Sequence, residues 1–160
     1  MAVTLSDNDI SLLMHEKKPL PADFRTKMQI HPKRGHQESE LDVKGANGNE
    51  FRLIVRQGIF NPLDFSVILA YRPPKSNQLF RICRYNGKSH EHTNSIEMET
   101  FYGYHIHIAT ERYQEIGARE DAYAQQTDRF SDYQQAVKCM FDDCGFELPV
   151  NLQGSLFEDA

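Results

Sequence analysis

Two histidines two positions apart are the side chains in this chain best spaced for chemistry. Between residues 101 and 109, His105 and His107 alternate with Tyr102, Tyr104, Ile106 and Ile108, so a single β-strand would project both imidazoles from the face opposite the tyrosines and the isoleucines. At a rise of about 3.3 Å per residue, the two rings would lie about 7 Å apart. Such a pair can serve as general acid and base near neutral pH or as two ligands of one metal ion. Paired polar residues are also typical of a solvated strand face.

One hypothesis is a ribonuclease that needs no metal ion. Cleavage of the phosphodiester requires a base for the 2′-hydroxyl proton, an acid for the leaving oxygen and a cation for the charge that develops on phosphorus. Beside the two histidines, the candidate catalytic residues are Glu111, Arg112 and Tyr113. The glutamate and arginine fit the first turn of a helix with a surface ion pair equally well. The residue types alone therefore leave open whether the protein is an enzyme.

A second hypothesis is a non-catalytic module that binds protein or nucleic acid through tyrosine, histidine and arginine side chains. Arg52, Arg56 and Arg84 on neighbouring predicted strands would contact phosphates, and Tyr85 and Tyr104 would stack on bases. Tyrosine and arginine also anchor protein interfaces, and an exposed sheet face or edge would suit a homodimer. This hypothesis requires the fewest coincidences, and the sequence favours it.

A third hypothesis is a site for a divalent transition metal such as zinc. The candidate ligands are His90, His92, His105 and His107, which form two His-x-His pairs that a hairpin would bring together. Structural zinc sites commonly include cysteine, and none is adjacent to these histidines. Without this site the sequence predicts no cofactor.

Composition limits the class of protein. The 160 residues predict a single domain over residues 1–150, followed by an acidic, loosely held tail over 151–160. With 39% hydrophobic and 26% charged residues, no long apolar run and no signal peptide pattern, the chain is expected to be cytoplasmic and without a membrane contact. A net charge of −5 argues against coating of nucleic acid but allows a local basic patch. The three cysteines are expected to be reduced and packed.

The histidine strand would belong to an antiparallel sheet. Alternating or apolar segments predict strands at 24–30, 40–44, 51–56, 65–71 and 79–85, whereas 86–94 predicts a polar turn. Asn47-Gly48 is a strong hairpin turn, and the other short links favour a meander. Ser6 is expected to cap a helix near the start of the chain, and Ser131 with Gln134 a helix near its end. The predicted fold is α+β, with an antiparallel sheet of about five or six strands packed by the N- and C-terminal helices.

Two segments in the second half of the chain resemble a family of uncharacterised bacterial proteins. The first runs from Arg84-Tyr85-Asn86-Gly87 through His90 and His92 to Asn94, and the second runs from Phe101-Tyr102 through His105 and His107 to Gln114. The resemblance implies a small bacterial, phage or mobile-element protein of unknown function. It carries over no catalytic residue.

Overall fold

Seven antiparallel strands form the sheet that carries the candidate histidines. The computed structural model describes residues 3–149 of the chain. The strands in chain order are β1 (Lys18–Pro19), β2 (His31–Lys33), β3 (His36–Lys44), β4 (Glu50–Gly58), β5 (Phe65–Arg72), β6 (Phe80–Asn86), β7 (Glu91–Asn94), β8 (Glu99–Tyr102), β9 (His105–Ile108), β10 (Ala124–Gln126) and β11 (Phe146–Glu147). The helices are α1 (Asp7–His15), α2 (Phe24–Lys27), α3 (Glu111–Glu115) and α4 (Tyr133–Asp143).

Strand order follows chain order over most of the sheet. The order is β10-β9-β6-β5-β4-β3-β2, in which β2 to β6 form a meander and β9 pairs with β6. β7 and β8 pair only with each other, and β1 pairs with β11 in parallel. Because β7 and β8 are inserted between β6 and β9, they form a hairpin outside the main sheet.

Helices cover one face of the sheet, which we call the core face. Phe51, Leu53 and Val55 alternate along β4 and belong to one buried cluster with Val137 and Met140 of α4. Burial of each such side chain contributes about 1.5–3 kcal/mol. α4 begins where the Asp132 carboxylate accepts a hydrogen bond from the Gln135 amide at 2.7 Å, which satisfies one free donor of the first turn. The core face thus holds the sheet and its helices together.

The opposite face, which we call the outer face, is largely polar. One row of cross-strand neighbours runs through Gln126, His105, Asn86, Ser66, Arg56 and Glu38. The next row places His107 beside Arg84. Pairing in these rows brings β9 and β6 side chains that are about twenty residues apart in the chain to within side-chain contact.

The β7–β8 hairpin folds over the histidine end of the outer face. Gly87 lies where the chain leaves β6, and a Cβ there would stand 1.9 Å from the Leu63 carbonyl oxygen, so no larger residue fits. Gly103, with φ of +153°, separates β8 from β9. The alternation over 101–109 therefore spans two strands, and Tyr102 belongs to the hairpin rather than to the histidine strand.

Most of the predicted elements are confirmed. The 40–44 and 51–56 strands pair around the Asn47-Gly48 turn, where Gly48 has a φ of +89°, and the 65–71 and 79–85 strands correspond to β5 and β6. Both terminal helices are present, although Asp132 rather than Ser131 provides the cap of α4. The α+β fold with an antiparallel sheet is also confirmed.

Two segment predictions were wrong. Residues 24–30 contain α2 instead of a strand, because Phe24 and Met28 are both buried and lie four residues apart, which matches one face of a helical turn. Within 86–94, expected to be a turn, residues 91–94 form β7. The polar side chains there suit a strand because Glu91 and Thr93 point to solvent.

None of the helices within residues 3–149 has the length and apolar character needed to cross a bilayer. The tail predicted over 151–160 lies outside the described residues.

Candidate functional site

Three imidazole rings meet between the hairpin and the sheet. The ring centroid of His92, on β7, lies 5.6 Å from that of His105 and 4.8 Å from that of His107, and the two β9 rings are 4.9 Å apart. They line a cavity of about 290 Å³, which we call the histidine pocket. His105 and His107 are each only 3% exposed, so the face predicted to be solvated is roofed by the hairpin.

Hydrogen bonds to main-chain oxygens orient the two β9 rings. Nδ1 of His105 lies 2.8 Å from the Gly103 carbonyl oxygen, and Nδ1 of His107 lies 2.7 Å from the Asp121 carbonyl oxygen. A carbonyl oxygen can only accept, so Nδ1 carries the proton in each neutral ring and Nε2 carries a lone pair. Both rings therefore present acceptors to the pocket.

Burial keeps these two imidazoles neutral. Loss of solvation lowers the pKa of His107 to about 2, and the positive charge of Arg84 is the next contribution. Loss of solvation also lowers the pKa of His105. At neutral pH both rings are uncharged, which preserves their Nε2 lone pairs.

Two further acceptors in the pocket wall have no hydrogen-bond partner among residues 3–149. They are the Oδ1 atoms of Asn86 and Asp121, which we call the open acceptors, and their residues are 9% and 0% exposed. The second carboxylate oxygen of Asp121 accepts from Arg84 Nε at 3.1 Å, whereas Arg119 Nε stands 3.7 Å from the open oxygen, too far for a hydrogen bond. Asn86 Nδ2 faces the Nε2 lone pair of His105 at 3.5 Å, which supports the orientation of its amide.

Asn94 attaches the hairpin to the edge of the sheet. Its side-chain amide donates to the Ala124 carbonyl at 2.7 Å and accepts from the Ala124 amide at 2.9 Å, as a neighbouring strand would. The same Oδ1 lies 2.8 Å from Nε2 of His92 and therefore orients that ring. All polar atoms of this 1% exposed side chain are paired, in contrast to those of Asn86.

A second attachment involves two of the predicted catalytic residues. The Tyr113 hydroxyl donates to Glu97 Oε1 at 2.5 Å and accepts from the Ile96 amide at 3.2 Å, and Arg112 forms an ion pair with Glu97. These contacts hold the turn between β7 and β8. Tyr113 also lines the pocket, so it adjoins the histidines as well as supporting the roof.

The other predicted catalytic groups are engaged away from the histidines. Glu111 forms two hydrogen bonds with Asp7, the first residue of α1. Its Oε1 accepts from the Asp7 amide at 3.2 Å, and its own amide donates to the Asp7 carboxylate at 2.8 Å. The Arg112 guanidinium lies 4.9 Å from the centroid of Tyr123. The structure therefore brings Tyr113, but neither Glu111 nor Arg112, to the histidine pocket.

The predicted binding residues are divided between the two faces of the sheet. Arg52, Arg56 and Arg84 lie on the outer face, where each contacts a carboxylate, of Asp42, Glu38 and Asp121 respectively. The rings of Tyr85 and Tyr104 lie on the core face and pack against Phe130. These five residues therefore do not form one surface that could contact phosphates and stack on bases, because alternate positions of a strand point to opposite faces of the sheet.

Three of the four predicted metal ligands converge, and His90 is exposed in the cavity wall beside Ser89. Within residues 3–149 no group of three or more His, Cys, Asp or Glu side chains is arranged to hold a metal ion. The geometry gives the zinc hypothesis no support in its four-histidine form.

Sequence reasoning missed Asn86, Asn94 and Asp121. Asp121 stands in a charged segment without periodicity, and it reaches the pocket only because β10 pairs with β9. Both asparagines end the polar segment over 86–94, but the partners of their side-chain amides are distant in the chain and cannot be read from spacing.

Comparison with known proteins matches the chain to one family. A family model described as "Family of unknown function (DUF6978)" matches residues 5–145. No curated protein and no solved structure matches the chain.

Proposed function

The chain belongs to DUF6978, a family of unknown function, and we propose that it is a non-catalytic binding module that holds a protein partner at the histidine pocket. The open acceptors of Asn86 and Asp121 carry this proposal. A buried acceptor without a donor costs about 1–3 kcal/mol, and most buried acceptors in folded proteins therefore have a partner. A partner that supplies donors would recover this free energy on binding.

The charge pattern favours protein over nucleic acid as the partner. Arg52, Arg56 and Arg84 have carboxylate neighbours, which offset the positive charge that phosphate groups would require. The hairpin exposes Met98 at 83% and Tyr102 at 53% of their surfaces, and such side chains commonly anchor protein interfaces. Pocket and exposed hairpin together offer a polar recognition point beside an apolar contact.

The pKa of His107 supports binding over catalysis. A general base works best with a pKa near the working pH, and a value of about 2 makes this imidazole a weak base. Glu111 and Arg112, two of the other groups proposed for phosphodiester cleavage, are held in contacts with Asp7 and Glu97.

Capture of partners from the host with matched baits tests the proposal. We expect a protein bound by the wild type to be depleted about tenfold or more by Asn86→Ala, because one open acceptor is removed, and to be retained by Arg52→Gln on the same face of the sheet. The readout is quantitative mass spectrometry, followed by the Kd of the purified pair. Specific binding of single-stranded RNA that Arg52→Gln weakens, or RNA cleavage that His107→Asn abolishes, would contradict the proposal.

A further inference from the structure

The histidine pocket has a chemical bias beyond its shape, because four hydrogen-bond acceptor atoms in its wall have no strong donor among the described residues. The open acceptors of Asn86 and Asp121 are joined by the Nε2 lone pairs of His105 and His107, whose Nδ1 protons are committed to main-chain carbonyls. A carboxylate or phosphodiester group has no proton to donate at neutral pH and would leave these atoms unpaired. The ligand must therefore provide N–H or O–H donors.

The fixed charges of the pocket wall balance. Arg84 and Arg119 contribute two positive charges, and Glu91 and Asp121 contribute two negative charges. Both arginines stand within ion-pair distance of Asp121, so its carboxylate is already compensated. The Glu91 side chain points to solvent, and the Asp121 carboxylate already has two cationic neighbours. An ammonium or guanidinium ligand would therefore meet the like charges of Arg84 and Arg119 with little compensation.

A neutral group with two donors and one acceptor satisfies both conditions. A primary carboxamide has two N–H donors for the acceptor atoms and one carbonyl oxygen for Arg84 or Arg119. We infer that the histidine pocket recognises a carboxamide, and specifically the side chain of an asparagine or glutamine residue of the protein partner. This inference rests on the proposed function and names the group that the partner inserts.

Asn86 and Asn94 form a matched pair for testing whether the pocket is built for a ligand. Both are buried asparagines, Asn86 at the end of β6 and Asn94 at the end of β7, but the Asn94 amide is fully paired and the Asn86 Oδ1 is open. Asn86→Ala should leave the urea midpoint unchanged or raise it, because it removes an unpaired buried acceptor and no strong hydrogen bond is lost. Asn94→Ala should lower the urea midpoint because its bonds to Ala124 and His92 are lost.

Titrations with small probes, followed by ¹H–¹⁵N spectra, identify the ligand class. Propionamide, propionate and propylammonium differ in charge and donors but have similar size. We expect saturable shifts at Asn86, His105 and His107 with propionamide alone, and binding weakened about fivefold or more in Asn86→Ala at a urea midpoint no lower than that of the wild type. N-acetylglutamine methylamide or N-acetylasparagine methylamide, which resemble the residue in a peptide, should bind at least as tightly as propionamide if the ligand is a side chain of the partner.

Three results would overturn the inference. The first is saturable binding of propionate, propylammonium or zinc at these residues in place of propionamide. The second is propionamide binding that Asn86→Ala does not weaken. The third is an absence of shifts with every probe. Tighter binding of propionamide than of both peptide-like amides would assign the pocket to a free amide and overturn the partner side chain. In each case, partner capture that still depends on Asn86 would leave the proposed function standing. Capture that is indifferent to Asn86→Ala would instead overturn the proposed function.

Discussion

Replacement of Lys18 by methionine is expected to lower the free energy of unfolding by about 3–5 kcal/mol, the largest effect of any single polar substitution that we predict. Lys18 is fully buried, and the carbonyl oxygens of Leu13, Met14, Glu16 and Cys144 share the three N–H donors of its ammonium at 2.7–2.9 Å. These oxygens belong to the C-terminal ends of α1 and α4 or to the residues just beyond them. Methionine fills a similar volume but leaves all four carbonyls without this donor.

The ammonium form of Lys18 persists at neutral pH. Burial lowers the pKa of Lys18 to about 8, which is still above 7, and the ring of Phe51 with its centroid 4.5 Å away adds a cation–π contact. Urea unfolding followed by circular dichroism measures the loss. Lys17→Met, a substitution of the exposed neighbour, is the control and should change stability by less than about 0.5 kcal/mol. A Lys18→Met protein as stable as that control would show that the four contacts are not needed.

Acidification is expected to destabilise the fold through His107. The pKa of His107 is lowered from 6.5 to about 2 in the folded chain, so below pH 6.5 the unfolded chain takes up a proton that the folded chain does not. Stability is therefore lost as the pH falls through the window between these two values. For this single group we expect a loss of about 2 kcal/mol between pH 6.5 and pH 4.5, and His105, whose pKa is also lowered, adds in the same direction.

His107→Asn separates this effect from that of the acidic residues. The asparagine Nδ2 can replace the imidazole Nδ1 as donor to the Asp121 carbonyl, and it does not titrate in this range. Urea unfolding at a series of pH values should give a shallower slope for His107→Asn than for the wild type, by up to one proton. His31→Asn, at an exposed strand position, should keep the wild-type slope. Equal slopes for all three proteins would mean that His107 titrates normally in the fold.

Local patterns predicted the sheet because its strands alternate and its turns are short. The β3–β4 hairpin follows from Asn47-Gly48 and the flanking apolar positions, and the shared face of His105 and His107 follows from their spacing alone. Alternation gave the wrong prediction at 24–30. Phe24 and Met28 also fit the period of a helix, and their burial against the core favours the helix over the strand. A segment of seven residues is too short to distinguish the periods.

The pocket itself could be predicted only in part. His92 was named together with His105 and His107, but its partner Asn94 bonds to Ala124, thirty residues further along the chain. The predicted exposure of the histidine face was reversed because nothing in the spacing of β7 and β8 reveals that they fold over β9. Contacts between an inserted hairpin and a sheet depend on tertiary packing, which local patterns do not encode.

The protonation of the two β9 imidazoles is the most direct test of the acceptor character of the histidine pocket. Long-range ¹H–¹⁵N correlation spectra of the labelled protein at neutral pH distinguish the two neutral tautomers from the imidazolium ion. We predict that His105 and His107 are both neutral with the proton on Nδ1, as their bonds to the Gly103 and Asp121 carbonyls require. A proton on Nε2 of both rings, or imidazolium signals from both, would contradict the assignment of the pocket as a site that receives hydrogen-bond donors.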